Sequence, residues 1–316
     1  MRLKPVPTCL LRSIFASLLA GCTTVTMTAS PTQQTNSAAL AAGSPALVGQ
    51  AALASRGPAP VVRPAGSLPV FSRANPPGWP SDAVLGGPEP QMNTPYRGTM
   101  PFLGHTIPLP DGDWTVISRN AVETRDRTPV SVRIVLERND GPVLTGLMVL
   151  GGNPASHPFP HGLPVSPICT GSDVILADAG QADPGGDQNC ATVDFHRSTF
   201  LRDATSPMFV RVAGNGLDQR NISPPPTLVG TAFIVATRTH SLVGDVFFNP
   251  DRAGIAPDVA TQRAMSGWTA FNIAKDPAKQ AFAQKVLDWS RGWRAALKLA
   301  LAGKSPRLPP DVATTP

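Results

Sequence analysis

Val130-Ser131-Val132-Arg133-Ile134-Val135-Leu136-Glu137 sets apolar residues in alternation with mostly polar ones. A period of two puts successive side chains on opposite faces of an extended chain, so this stretch predicts a strand with one buried face. Asn139-Asp140-Gly141 follows, three residues that tolerate positive φ and suit a hairpin turn. Val143-Leu144-Thr145-Gly146-Leu147-Met148-Val149-Leu150 then returns as the partner strand. Outward from this hairpin, Asp111-Gly112-Asp113 turns the chain into a strand at Trp114-Thr115-Val116-Ile117-Ser118. Further strands are expected at Ala191 to Phe195, Met208 to Val212, Thr231 to Thr237 and Leu242 to Phe248, with Thr239, His240 and Ser241 turning the last two into a second hairpin. Strands joined by short turns, with no helix-length pattern between them, call for an antiparallel sheet of about six or seven strands.

The period changes near the C-terminus. Asp276 and Pro277 suit an N-cap and a first helical residue. Phe282, Val286, Trp289, Trp293, Leu297 and Leu301 recur every three or four residues as one apolar stripe, and Gly303 can end the helix. Lys279, Lys285, Arg291, Arg294, Lys298 and Lys304 fall largely off the stripe. A basic amphipathic helix with aromatic anchors could lie on a membrane surface. A sheet with one buried face needs a cover, and that reading takes precedence. The expected fold class is α+β: a mainly antiparallel sheet covered by a long C-terminal amphipathic helix, in a head spanning 95–305.

The flanks differ in composition. From Thr23 to Met92 the chain is dominated by Ala, Pro, Ser, Thr and Gly, as in Ala52-Leu53-Ala54-Ser55-Arg56-Gly57-Pro58-Ala59-Pro60. Such a segment buries too little apolar surface to offset its ordering entropy, so 22–94 is expected to be a disordered tether, with apolar residues returning briefly at Leu68 to Phe71. Its r.m.s. reach would be about 45 Å. The tail 306–316 is expected to be disordered as well.

At the start, Arg2, Lys4 and Arg12 precede the short apolar run Ser13-Ile14-Phe15-Ala16-Ser17-Leu18-Leu19-Ala20, then Gly21 and Cys22. This is a signal-peptide layout over 1–21, with an apolar run well short of the roughly 20 residues that cross a bilayer as a helix. Leu19-Ala20-Gly21-Cys22 resembles the lipobox of bacterial lipoproteins. The resemblance implies a diacylglyceryl group on the Cys22 thiol, removal of the signal, a further acyl chain such as palmitate on the new N-terminus, and membrane attachment through lipid. Thr23, where enteric bacteria place an inner-membrane retention aspartate, implies sorting to the outer membrane, facing the periplasm. Loss of the signal lowers the formal net charge from +6 to +3, with no Lys/Arg cluster, which argues against a nucleic-acid partner.

Processing and lipidation leave Cys169 and Cys190 as the remaining thiols. In an oxidising envelope compartment an isolated pair is expected to form a disulfide. Candidate chemistry is sparse. His157-Pro158-Phe159-Pro160-His161 spaces two histidines by four, but the prolines forbid a regular helix, so a metal site there would need carboxylates or His105, His196 or His240 to converge from elsewhere. Asp173, Asp178, Asp183 and Asp187 lack the alternate-residue spacing of a calcium loop and are expected to be solvated. Asp194 and His196 flank Phe195 on one strand face, where a serine from elsewhere could complete a hydrolase relay, yet GxSxG, GxxxxGK[ST] and GxGxxG are all missing. No metal and no cofactor are expected. The sequence favours a non-enzymatic binding module for another envelope protein or glycan, ahead of a tethered periplasmic hydrolase assembled from distant loops, or a structural envelope protein.

Overall fold

The computed structural model describes residues 79–123, 129–154, 163–260, 262–305 and 312. In chain order the elements are α1 (Asp82–Leu85), β1 (Pro95–Phe102), β2 (His105–Glu123), β3 (Pro129–Asp140), β4 (Val143–Gly152), β5 (Leu176–Ala182), β6 (Gln188–Arg197), α2 (Met208–Gln219), β7 (Thr227–Ala236), β8 (Ser241–Phe248), α3 (Ala270–Ile273) and α4 (Pro277–Leu301). The expected hairpin is β3 and β4, with Asp140 opposite Val143 and Gly141 at φ 56° in the turn. All eight strands join one antiparallel sheet in the order β1-β2-β3-β4-β8-β7-β6-β5. Two four-stranded meanders therefore meet at the centre, where β4 pairs with β8.

Each face of the sheet has its own cover. The first is packed by α4, whose Phe282, Val286, Trp289, Trp293 and Leu297 are buried against Val116, Ile134, Phe233, Val246 and Phe248. Trp293 meets Phe233 edge to face at 4.9 Å, stacks on Trp289 at 5.2 Å, and donates its indole N–H to the Pro108 carbonyl at 3.1 Å. Asp276 accepts from the Lys279 amide as the N-cap. One of the basic residues expected off the stripe is not exposed: Arg294 is buried, donating to Asn189 and ion-pairing with Asp178 of β5. Its long stem crosses the apolar layer and delivers the guanidinium to the edge strand, where Nη1 and Nη2 are paired and offset part of the burial cost.

The second face corrects the sequence reading. Met208 to Val212, expected as a strand, is the first part of α2. Phe209, Val210, Ala213 and Leu217 pack on Ile117, Val135, Leu147 and Val149. Over five residues an apolar run cannot distinguish the two periods, and the spacing through Leu217 is helical. Gly214 lets this helix close on the Leu201 carbonyl, which a Cβ would approach to 2.3 Å. Strands β1 and β5 were not expected: Pro95 and Gly98 interrupt the first, and Leu-Ala-Asp-Ala-Gly-Gln-Ala is poor in β-branched residues. Both are edge strands, held by pairing with β2 and β6.

Order also extends beyond the expected boundaries. Leu85 is fully buried and Glu89 nearly so, which moves the start of the head from 95 back at least to Trp79. Lone apolar residues among Gly, Pro and Asp give no period to read. Val312, within the segment expected as a tail, is buried in the α4 core. The signal, Cys22 and the rest of the proposed tether lie outside the described residues. Among the described residues no helix is long and apolar enough to cross a membrane.

Candidate ligand site on the second sheet face

Between α2 and the disulfide the second face is only partly covered. Strand register sets the floor: Thr192, Ala232 and Asp245 lie side by side on β6, β7 and β8, and Asp194, Gly230 and Phe247 form the next row. Because β7 contributes only glycine and alanine, a small hollow of about 50 Å³ opens between the larger side chains of its neighbours. Gly230 is required there, since a Cβ would lie 2.4 Å from the Val246 carbonyl and 2.6 Å from the Phe247 ring.

Two walls rise from this floor. Cys169 and Cys190 are a disulfide-capable pair, with Cα atoms 5.0 Å apart, joining β6 to the 3₁₀ turn Pro167–Thr170. This link holds the chain leading to Val174 at the rim, where Gly171 lies close over Thr192. Opposite stand three rings: His196 to Phe247 at 5.3 Å, His196 to Phe200 at 5.5 Å, and Phe200 to Phe247 at 5.8 Å.

The polar groups at the bottom are unequal. Asp194 receives Arg263 at 2.6 and 2.7 Å, and the same guanidinium donates to the Phe195 carbonyl. Asp245 is only 6% exposed; its carboxyl oxygens reach the hollow rather than being sealed from it, and no protein donor among the described residues bonds them. Burial pushes its carboxyl up to about 7, and the neighbouring Asp194 charge pushes the same way. His196 is driven down to about 4 by burial, with a smaller push from Arg263 in the same direction, against a larger opposing pull from Asp194. At neutral pH its imidazole is uncharged. The hollow thus combines apolar side chains with a carboxyl that reaches it and is bonded by no protein donor among the described residues.

Comparison with protein-family profiles, with curated proteins and with solved structures gives no match. The site is read from its own chemistry.

The sequence candidates divide accordingly. Asp194 and His196 share the hollow as their spacing indicated, but no hydrogen bond joins them among the described residues, and Asp194 is engaged by Arg263. His196 packs against two phenyl rings. The hydroxyl that lines the hollow belongs to Thr192, not to a serine. His105 and His240 meet edge to face at 5.6 Å, away from His196, while His157 and His161 lie outside the described residues. Asp178 is tied to Arg291 and Arg294, Asp183 to Gln181, and Asp187 lies 4.0 Å from Lys298. Among the described residues no group of His, Cys, Asp and Glu is arranged to hold a metal. Asp245 escaped the sequence reading. In Leu242-Val243-Gly244-Asp245-Val246 it looks like an ordinary solvent-facing strand residue, and only the pairing of β8 between β4 and β7 buries it.

Proposed function

We propose that this chain is a lipid-anchored lipoprotein of the bacterial cell envelope, attached through Cys22 to the outer membrane and facing the periplasm, whose head binds another envelope component, protein or glycan. Leu19-Ala20-Gly21-Cys22 after a charged start and short apolar run supports the address. The observation that carries the binding role is Asp245, a carboxyl 6% exposed that lines a small, largely apolar hollow and is bonded by no protein donor among the described residues. A carboxyl drawn into a largely apolar hollow without a protein donor is poorly solvated, and a ligand that brings a donor relieves that cost. The relay that a hydrolase would need is not favoured by the geometry, since Arg263 occupies the Asp194 carboxylate and His196 is held between aromatic rings.

The test is complementation in cells lacking the chromosomal copy. His196→Ala should retain function, whereas replacing Asp245 by a bulky residue, as in Asp245→Leu, should abolish it with the head still folded and the lipid still attached. Removal of a true general acid or base costs about 100-fold to 10,000-fold in rate. A folded His196→Ala protein with no function would therefore transfer support to the hydrolase.

A further inference from the structure

The hollow is small, and its lining sets apolar side chains beside carboxyls. Val174 at the rim, the Phe247 ring and the Ala232 methyl of the floor give it apolar surface that matches an aliphatic stem. Its floor holds the unpartnered Asp245 carboxyl, with Asp194 on the adjacent row. Arg263 accounts for one of the two acidic charges, leaving the site with one uncompensated negative charge when Asp245 is ionised. We propose that this hollow takes an alkylammonium tip, presented in the cell by a lysine side chain of an envelope protein partner. The inference rests on the reading of the head as a binding module and specifies what it binds.

Several features favour an ammonium over other occupants. A compact ammonium carries three donors on a flexible stem, so it can reach a carboxyl at the bottom of a narrow slot. An anion would face Asp194 and Asp245 together. A neutral apolar group would leave Asp245 unsatisfied, which is the costlier outcome in a low-dielectric site. The remaining charged groups around Asp245 are few: β6 presents Asp194 and His196, with Arg263 behind Asp194, while β4, β7 and the 171–175 segment present Val149, Gly230, Ala232 and Val174. His196 is neutral across the relevant range, so Asp245 governs the pH response.

The experiment is an NMR titration of the intact mature lipoprotein in detergent, using Nα-acetyl-lysine amide as the probe, with glucosamine and n-butanol as parallel arms. Saturable shifts of Val174, Thr192 and Ala232 resonances are expected with the lysine amide. Affinity should rise about tenfold from pH 6 to pH 8 as the carboxyl ionises, and Asp245→Asn should weaken it at least tenfold. In the wild-type protein, saturating lysine amide should also lower the titration midpoint of the Asp245 side-chain carbon, a readout independent of any variant's folding. Tighter binding of glucosamine would overturn the lysine assignment in favour of an amino sugar. Equal binding of n-butanol, or an Asp245 midpoint unmoved by saturating lysine amide, would overturn the ammonium slot altogether. If no amine binds while Asp245→Leu still abolishes complementation, the binding module stands and this ligand assignment alone fails.

Discussion

At the scale of single residues, the second sheet face carries two groups whose protonation is set by burial, and they act in opposite directions. The Asp245 carboxyl titrates near 7 in the fold and near the ordinary carboxylate range in the unfolded chain, so between those values the folded state holds the extra proton. Stability is then present at low pH and is lost as pH rises through about 7, by an amount on the order of 4 kcal/mol. His196, held down to about 4, reverses the sign: the unfolded chain binds the extra proton, and stability falls as pH drops from about 6.5 to about 4, by roughly 3 kcal/mol. Denaturant unfolding of wild type, Asp245→Asn and His196→Gln at pH 4 to 8 checks both. The Asp245→Asn curve should gain on wild type as pH rises, and the His196→Gln curve should gain as pH falls. Glu89, pushed up to about 8 by burial, adds its own loss on the alkaline side, so the difference between variant and wild type is the quantity to compare.

At the scale of elements, three packing relations define the head and its hollow. Trp293 of α4 is fully buried between Phe233 and Trp289. Trp293→Ala should cost about 3–5 kcal/mol, seen as a lowered denaturant midpoint, because the cavity left under a long helix collapses only in part. Gly230→Ala places a methyl group against the backbone carbonyl of Val246 and the Phe247 ring. It should destabilise by about 1–3 kcal/mol and narrow the hollow, whereas Ala232→Gly should leave the slot open. Between Cys169 and Cys190, 21 positions apart, a disulfide should contribute about 3 kcal/mol by restricting the unfolded chain. Non-reducing peptide mapping of protein taken from the envelope should find the two joined, and reduction should lower the melting temperature and weaken binding at the Val174 wall.

At the scale of the whole molecule, the proposed anchor and tether set where the head can act. Mass spectrometry of the mature N-terminus should show an acylated Cys22, and Cys22→Ser should leave an unprocessed, mislocalised precursor; an unmodified mature cysteine would refute the address. Shortening the segment from Thr23 to about residue 78, while keeping Cys22 and the Trp79 entry to the head, should impair complementation without unfolding the head. Tethered binding depends on a chain long enough to span the gap, and effective concentration falls to near zero when it cannot.

The hairpin at Val130 to Leu150, the α4 stripe and the cysteine pair were legible in the sequence because each depends on local period, turn chemistry or residue count. Sequence alone also carried the lipobox reading, which depends on a linear signal and not on a fold. It did not disclose that Met208 to Val212 is helical, since a five-residue apolar run satisfies either period and the apolar face formed by Ile117, Val135, Leu147 and Val149 selects the helix. Strands β1 and β5 were hidden for a related reason, being weak β-formers held by their neighbours' backbone. Asp194 and His196 were visible as a pair, but their environment came from Arg263 and Phe247, 69 and 51 positions away in the chain. The identity of Asp245 as the unpartnered carboxyl was decided wholly by tertiary structure, because burial is a property of which strands flank β8 and of the small residues that β7 places beside it.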